Sequence, residues 1–348
     1  MGRIEITVHD AAPPRKDWKQ ILPGLIVSAV SLGIVLWVAD PQQVIAALRL
    51  ADYRIVLLAF SLSLVWLLLR AVVWRVLLRE QASFKNVFFT IAEGYLLNNL
   101  LPLRLGEVAR SFLLSRKERL AFWQVFSSIV IERVLDLACA VGLLLVTLPF
   151  VVGADWAREA ALGAGALVIA GLGVLYILAR SREQALAVVT RLGQRWPWIE
   201  RLAGKRLASL LVGLAVLTDG RRFLLATGWM FLDWAVAVLQ YFVLLRAFFP
   251  EAAVLWAAFA LGVAALGAAA PSSPGAIGVM ELSLVGALAV FQIDQSRALA
   301  FALTIHFFSY LSSGIFGSLG LAQDGESLTG LYRQIRSLRT RVQDPEPG

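Results

Sequence analysis

Of the ionisable side chains inside or beside long apolar blocks, eleven are candidates for chemistry: Glu93, Arg104, Glu107, Arg110, Glu132, Arg133, Asp136, Asp233, Arg246, Glu281 and His306. A charge at the centre of a membrane-spanning helix costs roughly 2.5–3.5 kcal/mol on insertion scales, so each one calls for a partner or a task. Guanidinium forks suit phosphate, which makes Arg104 and Arg110 candidates for holding an anionic head group. Glu132 and Asp136 share a helix face at i,i+4, and Arg133 and Asp136 are i,i+3 neighbours able to pair. Two readings of this trio stay open: the groups fasten one another, or they present charge to a ligand. Asp233 has no evident partner in sequence and could carry a proton. His306 is a packed core histidine, or a group for a proton or a phosphate.

A second constellation is the run Pro271-Ser-Ser-Pro274-Gly275-Ala-Ile-Gly278-Val-Met280-Glu281. Its Gly and Pro content breaks a helix and turns backbone N–H groups toward the mouth of the next one, where the dipole favours an anion. Glu281 could instead cap that helix itself.

Enzyme chemistry finds little support. The chain has no G-x-S-x-G, Walker A, G-x-G-x-x-G or H-E-x-x-H motif, one cysteine (Cys139) and two histidines, one of them His9 in a polar leader. No catalytic residue, metal or cofactor is therefore expected. Glu132 with Asp136 could serve as an acid–base pair or hold Mg²⁺, although no aspartate-rich cluster accompanies them.

The elements that must position these groups follow from composition. Of the 348 residues 59% are apolar and 16% charged, with a mean hydropathy of +0.74; this argues against a soluble fold and against disorder. The net charge of +8 reads as membrane topology and contact with anionic lipid, with no nucleic-acid partner. Six blocks are long enough to span: Ile21 to Val38, Tyr53 to Trp74, Phe122 to Val152, Arg158 to Ala179, Phe223 to Phe249 and Arg297 to Leu321. Two further regions, 84–116 and 252–291, are apolar but broken at Pro102 and at the Pro271–Gly275 run, and read as re-entrant hairpins. The expectation is an all-α polytopic membrane protein with six full transmembrane helices and two broken hairpins. Its domains would be a cytoplasmic leader (1–20), one transmembrane unit (21–321) with an amphipathic cytoplasmic segment (180–222), and a basic tail (322–348).

Lys and Arg set the orientation. Four precede the first block, nine lie between Arg180 and Arg222, and four follow Leu321, which puts both termini on the cytoplasmic side. Parity then sends the second hairpin in from the opposite face to the first. Pro102-x-x-x-Gly106 precedes Arg133 by about the interval at which Pro274-x-x-x-Gly278 precedes His306, a spacing that suggests an inverted repeat with a substrate site between its halves.

The stretch from Gly94 through Asn98-Asn99, Pro102, Arg104, Gly106-Glu107 and Arg110, then Ser127-Ser128 with Glu132-Arg133 and Asp136, then Pro274-Gly275, Gly278 and Glu281, resembles the lysylphosphatidylglycerol synthase transmembrane-region, or flippase-like, family. The resemblance covers nearly the whole chain. It implies a bacterial inner-membrane protein that moves a lipid head group between leaflets, and it makes Arg104, Glu107, Arg110, Glu132, Arg133, Asp136, Pro274, Gly275, Gly278 and Glu281 the matching positions. Two departures stand out: the family often has a basic residue where Met280 stands and arginine where His306 stands. The cytosolic aminoacyl-transferase domain of some members is not seen after Leu321, so charging of lipid with an amino acid is not expected.

The function expected is lipid translocation through a polar groove, with Arg104, Arg110 and Arg133 neutralising phosphate and Asp233 and His306 as proton-coupling candidates. The alternatives are an integral-membrane transferase acting on a polyprenyl-phosphate or phospholipid, and a non-catalytic partner of lipid-synthesis enzymes. Membrane lipids are the expected partners, with homo-oligomerisation open.

Overall fold

The computed structural model describes residues 29–37, 39–101, 105–151, 155–181, 205–269 and 272–325, with Ile26 and five residues between 183 and 191. Helices account for nearly all of it, with no strand among the described residues. In chain order they are α1 (Ala29–Trp37), α2 (Pro41–Leu50), α3 (Tyr53–Leu77), α4 (Phe84–Leu100), α5 (Gly106–Glu118), α6 (Phe122–Val151), α7 (Asp155–Arg180), α8 (Lys205–Leu214), α9 (Gly220–Phe248), α10 (Val254–Ala269), α11 (Val279–Ala289) and α12 (Gln295–Gln323). Short 3₁₀ turns at Ala215–Thr218 and Pro274–Ala276 precede α9 and α11. The protein is an all-α polytopic membrane protein.

Among the described residues, α3, α6, α9 and α12 are each long and apolar enough to cross a membrane, at 25 to 30 residues. The first apolar block differs from the sequence reading. Its described part, α1, turns through 81° into α2, so the segment after Val38, outside the six spanning blocks, is a helix. Pro41 at its first position and the Asp40 carboxylate, accepting from the Gln42 N–H at 2.8 Å, start it. The leader, Pro102 to Arg104, Trp196 to Trp198 and the basic tail lie outside the described residues. From the segment read as an amphipathic surface helix, α8 packs on α6 and α7, burying Leu211 and Leu214.

Two sets of four helices repeat the same pattern. The first is α3, α4, α5 and α6, of 25, 17, 13 and 30 residues. The second is α9, α10, α11 and α12, of 29, 16, 11 and 29 residues. Their contacts are exchanged one for one. α4 packs on α5 as α10 does on α11, α4 crosses α12 as α10 crosses α6, and α3 meets its own counterpart α9 along the longest shared seam. This pairing is what a two-fold relation between halves requires. The crossings depend on small residues. Gly317 of α12 faces the backbone of Ala92 on α4, and Gly262 of α10 faces Ala140 and Leu144 of α6, allowing close approach without a side chain between.

At 1.5 Å per residue, the arms of the two broken pairs are about 16–26 Å long, short of the roughly 30 Å hydrocarbon core. Each break is closed by a side-chain oxygen that accepts the N–H of a glycine. Asn98 Oδ1 takes Gly106 N–H at 2.8 Å, and Glu281 Oε2 takes Gly278 N–H at 2.7 Å. Gly106 is also a site of contact. A β-carbon there would strike the Gly94 carbonyl and the Asn98 side chain. Because one obstacle is backbone and cannot move aside, Gly106→Ala is expected to cost about 1–3 kcal/mol, measured as a lower midpoint of thermal unfolding in detergent with little change in helix content.

Candidate functional site

The seam between the halves holds a charge network to which four helices contribute. Arg70 comes from α3, Arg110 from α5, Glu132, Arg133 and Asp136 from α6, and Asp233 from α9. The i,i+4 spacing aims Glu132 and Asp136 at the same neighbour. Arg70 Nη1 lies 2.6 Å from Asp136 Oδ1 and its Nη2 2.7 Å from Asp233 Oδ2, with Glu132 at 3.9 Å. Arg110 grips Glu132 with both terminal nitrogens, at 3.2 and 2.9 Å. Arg133 pairs with Glu132 and lies 3.4 Å from Asp136.

Three arginines thus meet three carboxylates, and the formal charges cancel. Neutrality matters because an uncompensated charge at this depth would cost several kcal/mol. Tryptophans complete the surround: Trp234 donates to Asp136 at 3.1 Å, Trp74 donates to Ser128 at 3.0 Å and lays its ring 4.2 Å from the Arg110 guanidinium, and Trp66 faces Arg70 at 5.2 Å.

Exposure separates the members. Arg70, Arg110, Glu132 and Asp233 are shut in, and the Arg133 side chain alone among the arginines opens outward, at 41% of its full exposure. The sequence reading gave Arg110 a phosphate-neutralising role; as folded, both its terminal nitrogens face Glu132, and it holds α5 to α6. Asp233, read as lacking a partner, has one in Arg70. Arg104 lies outside the described residues. Glu107 stands apart from the network and receives Asn98 Nδ2 at 3.4 Å, while Arg246 is exposed on α9.

Arg70 is the group that sequence reasoning missed. Placed deep inside the block Tyr53 to Trp74, whose other arginine, Arg54, stands at its very start, Arg70 carries the same insertion cost as the charges singled out elsewhere; it passed unremarked because its neighbours in that block are so apolar. A second omission is Lys117, which holds the buried Glu93 at 3.0 Å, Thr90 at 3.1 Å and Asp324 at 2.6 Å, tying α5 to α4 and to the end of α12.

The second half is built differently. Gly275, Ala276 and Gly278 take positive φ values of 68°, 56° and 84°, and a β-carbon on Gly275 would strike the Tyr310 hydroxyl. The Glu281 carboxylate already occupies the start of α11, so the helix mouth expected to receive an anion is filled by the protein's own side chain, which accepts the Gly278 N–H. The other Glu281 oxygen meets His306 Nδ1, and His306 Nε2 lies 2.8 Å from the Gly275 carbonyl. Met280 packs against the apolar core. The two halves touch at their breaks: α4 packs against the 3₁₀ turn, and Asn99 Nδ2 donates to Ser313 Oγ at 3.0 Å.

Among known proteins, several similar sequences carry the name of membrane proteins. The chain is 29% identical over 119 residues to a UPF0104 membrane protein of Methanocaldococcus jannaschii, a match covering 33% of this chain and 35% of that one. A UPF0104 membrane protein of Pyrococcus horikoshii is 30% identical over 118 residues, covering 32% and 35%. A Haloferax volcanii protein named Glycosyltransferase AglD is 28% identical over 126 residues, 35% of this chain and 20% of that one. The matched stretch therefore spans about a third of the UPF0104 relatives and a fifth of the glycosyltransferase. No solved structure matches. The model of the family described as the lysylphosphatidylglycerol synthase TM region runs over residues 21–317, which takes in both broken helix pairs and the whole charge network, and the chain belongs to that family.

Proposed function

We propose that the protein translocates a lipid with a phosphate-bearing head group between the leaflets of a bacterial inner membrane, along the seam between its two halves. The tails would remain in the bilayer while the head group passes the broken helix pairs, read as hairpins re-entering from opposite faces, with both termini cytoplasmic. One observation carries this reading: a buried, charge-neutral network at the seam, of whose arginines only Arg133 opens outward. A neutral store of paired charges can lend a guanidinium to a passing phosphate by exchanging partners, without ever leaving a bare charge in hydrocarbon. Glu281 blocks the corresponding anion position in the second half, so phosphate contact is assigned to the first.

The test is reconstitution into vesicles of phosphatidylglycerol and phosphatidylethanolamine carrying a trace of head-group-labelled lipid. Purified protein is expected to speed exchange of the label between leaflets severalfold over protein-free vesicles; an unchanged rate, or an equal rate for a labelled lipid whose head group carries no phosphate, would count against the reading.

A second reading, an integral-membrane transferase using a lipid-phosphate carrier, draws on the similarity to the protein named a glycosyltransferase. It requires turnover in detergent micelles, where leaflets do not exist, and loss of that turnover in Glu132→Gln. A scaffolding role beside lipid-synthesis enzymes would leave function intact after neutral substitutions in the network.

A further inference from the structure

The hydrogen bonds around His306 demand a proton that no neutral-histidine, ionised-glutamate arrangement can provide. One ring nitrogen faces the Gly275 carbonyl at 2.8 Å. A carbonyl only accepts, so Nε2 must carry hydrogen. The other, Nδ1, faces a carboxyl oxygen of Glu281. A neutral imidazole has one hydrogen, already spent on Gly275; Nδ1 would then set a lone pair against a carboxylate, two acceptors in contact. The geometry points to a proton-binding site made by His306 and Glu281, in which one proton lies between the two side chains and fastens the second broken helix pair to α12.

The site is well isolated. His306 and Glu281 are 7% and 3% exposed. Among the described residues, the one other titratable group facing them is Tyr310, on the same helix, with its ring 4.9 Å away, and the surrounding elements present no charge there. α4 brings Asn99, α3 brings Phe60 against Phe308, α9 brings Tyr241 against Phe301, and α10 brings Gly267 against Ser283 of α11. α2 meets α12 through Asp40 and Ser296, at its start, while Glu93 of α4 and Lys117 of α5 meet it near Gly320 and Asp324, at its end.

Departure of the proton leaves neutral His306 and charged Glu281 with an acceptor–acceptor contact and a carboxylate of reduced compensation. Glu281 also holds Gly278 N–H, and Gly275 rests on His306, so the link that the proton makes between the two side chains is what ties the two ends of the break together. Its loss frees the segment from Ser272 to Gly278. Asp233 is unsuited to the same role, since its charge is matched by Arg70. That the proton is the coupling ion for lipid movement rests on the translocase reading; the proton site itself does not.

Two measurements test the site without any lipid assay. His306 and His9 are the only histidines, so a His9→Gln chain carrying ¹⁵N-histidine gives a single imidazole. Its nitrogen shifts are expected to report loss of one proton as the pH is raised across the interval in which the chain stays folded; shifts that stay fixed over that interval overturn the proposal. In a Cys139→Ser, Ser272→Cys chain, the thiol replaces a hydroxyl that is buried without a hydrogen-bond partner. Its alkylation rate, divided by that of the denatured chain at the same pH, is expected to rise tenfold or more over the same interval, and to stay level when His306→Arg supplies permanent donors. A level ratio with His306 in place, or a parallel rise in the arginine variant, overturns it. If both measurements respond while an imposed pH gradient leaves lipid exchange unchanged, the proton site stands and the coupled-transport reading fails.

Discussion

Arg70→Met is expected to destabilise the protein by about 3–5 kcal/mol, the usual penalty for removing one partner of a buried ion pair. Arg70 bridges Asp136 at 2.6 Å and Asp233 at 2.7 Å. Asp136 would retain Arg133 and the Trp234 N–H, but Asp233, fully buried, would lose its one ion-pair partner. Asp233→Asn should cost less, because Arg70 keeps Asp136. The double variant Arg70→Met, Asp233→Asn should therefore be more stable than Arg70→Met alone, a non-additivity visible in denaturant titration of the detergent-solubilised protein. If Arg70→Met unfolds within about 1 kcal/mol of the parent chain, the network is ornamental to the fold and the seam is held by apolar packing.

Arg133→Ala is expected to act on function with the fold largely spared. Its side chain is the open one among the arginines, and Glu132 keeps both bonds from Arg110 when it is removed. A charge-assisted hydrogen bond to phosphate contributes about 1.5–3 kcal/mol, so losing one in the rate-limiting passage should slow lipid exchange by roughly ten- to a hundredfold. Arg133→Lys, which keeps charge but not the planar fork, should fall between. The measurement is leaflet exchange in vesicles, with the unfolding midpoint recorded on the same preparations. Exchange within a factor of about two of the parent, with an unshifted midpoint, would remove Arg133 from the path and with it the reading of the seam as the route.

These two arginines illustrate why the site was only half legible. Glu132, Arg133 and Asp136 were readable because three charges in five residues of an apolar helix are conspicuous and their spacing sets a common face. Arg70 and Asp233 lie far from them and from each other in sequence, one on each half. Only the packing of α3 on α9 makes them a pair. The same packing turns both terminal nitrogens of Arg110, in sequence one more available guanidinium, toward Glu132.

The second half carried the complementary lesson. Its Gly and Pro content located the break, since few other residues tolerate the positive φ found at Gly275 and Gly278. Both uses weighed for Glu281, cap or empty anion mouth, were compatible with its position one turn into a helix; the Gly278 N–H taking its oxygen decided for the cap. His306 became chemically specific only when both of its neighbours proved to be acceptors.

By itself the sequence determined what hydrophobicity and backbone stereochemistry determine: a helical membrane protein, the positions of four long spans and the places where helices must break. Those properties are local, because the cost of exposing a peptide group to hydrocarbon and the clash of a proline ring are settled within a few residues. The tertiary structure alone decided which charge answers which, because ion pairing in the bilayer depends on distances between helices remote in sequence.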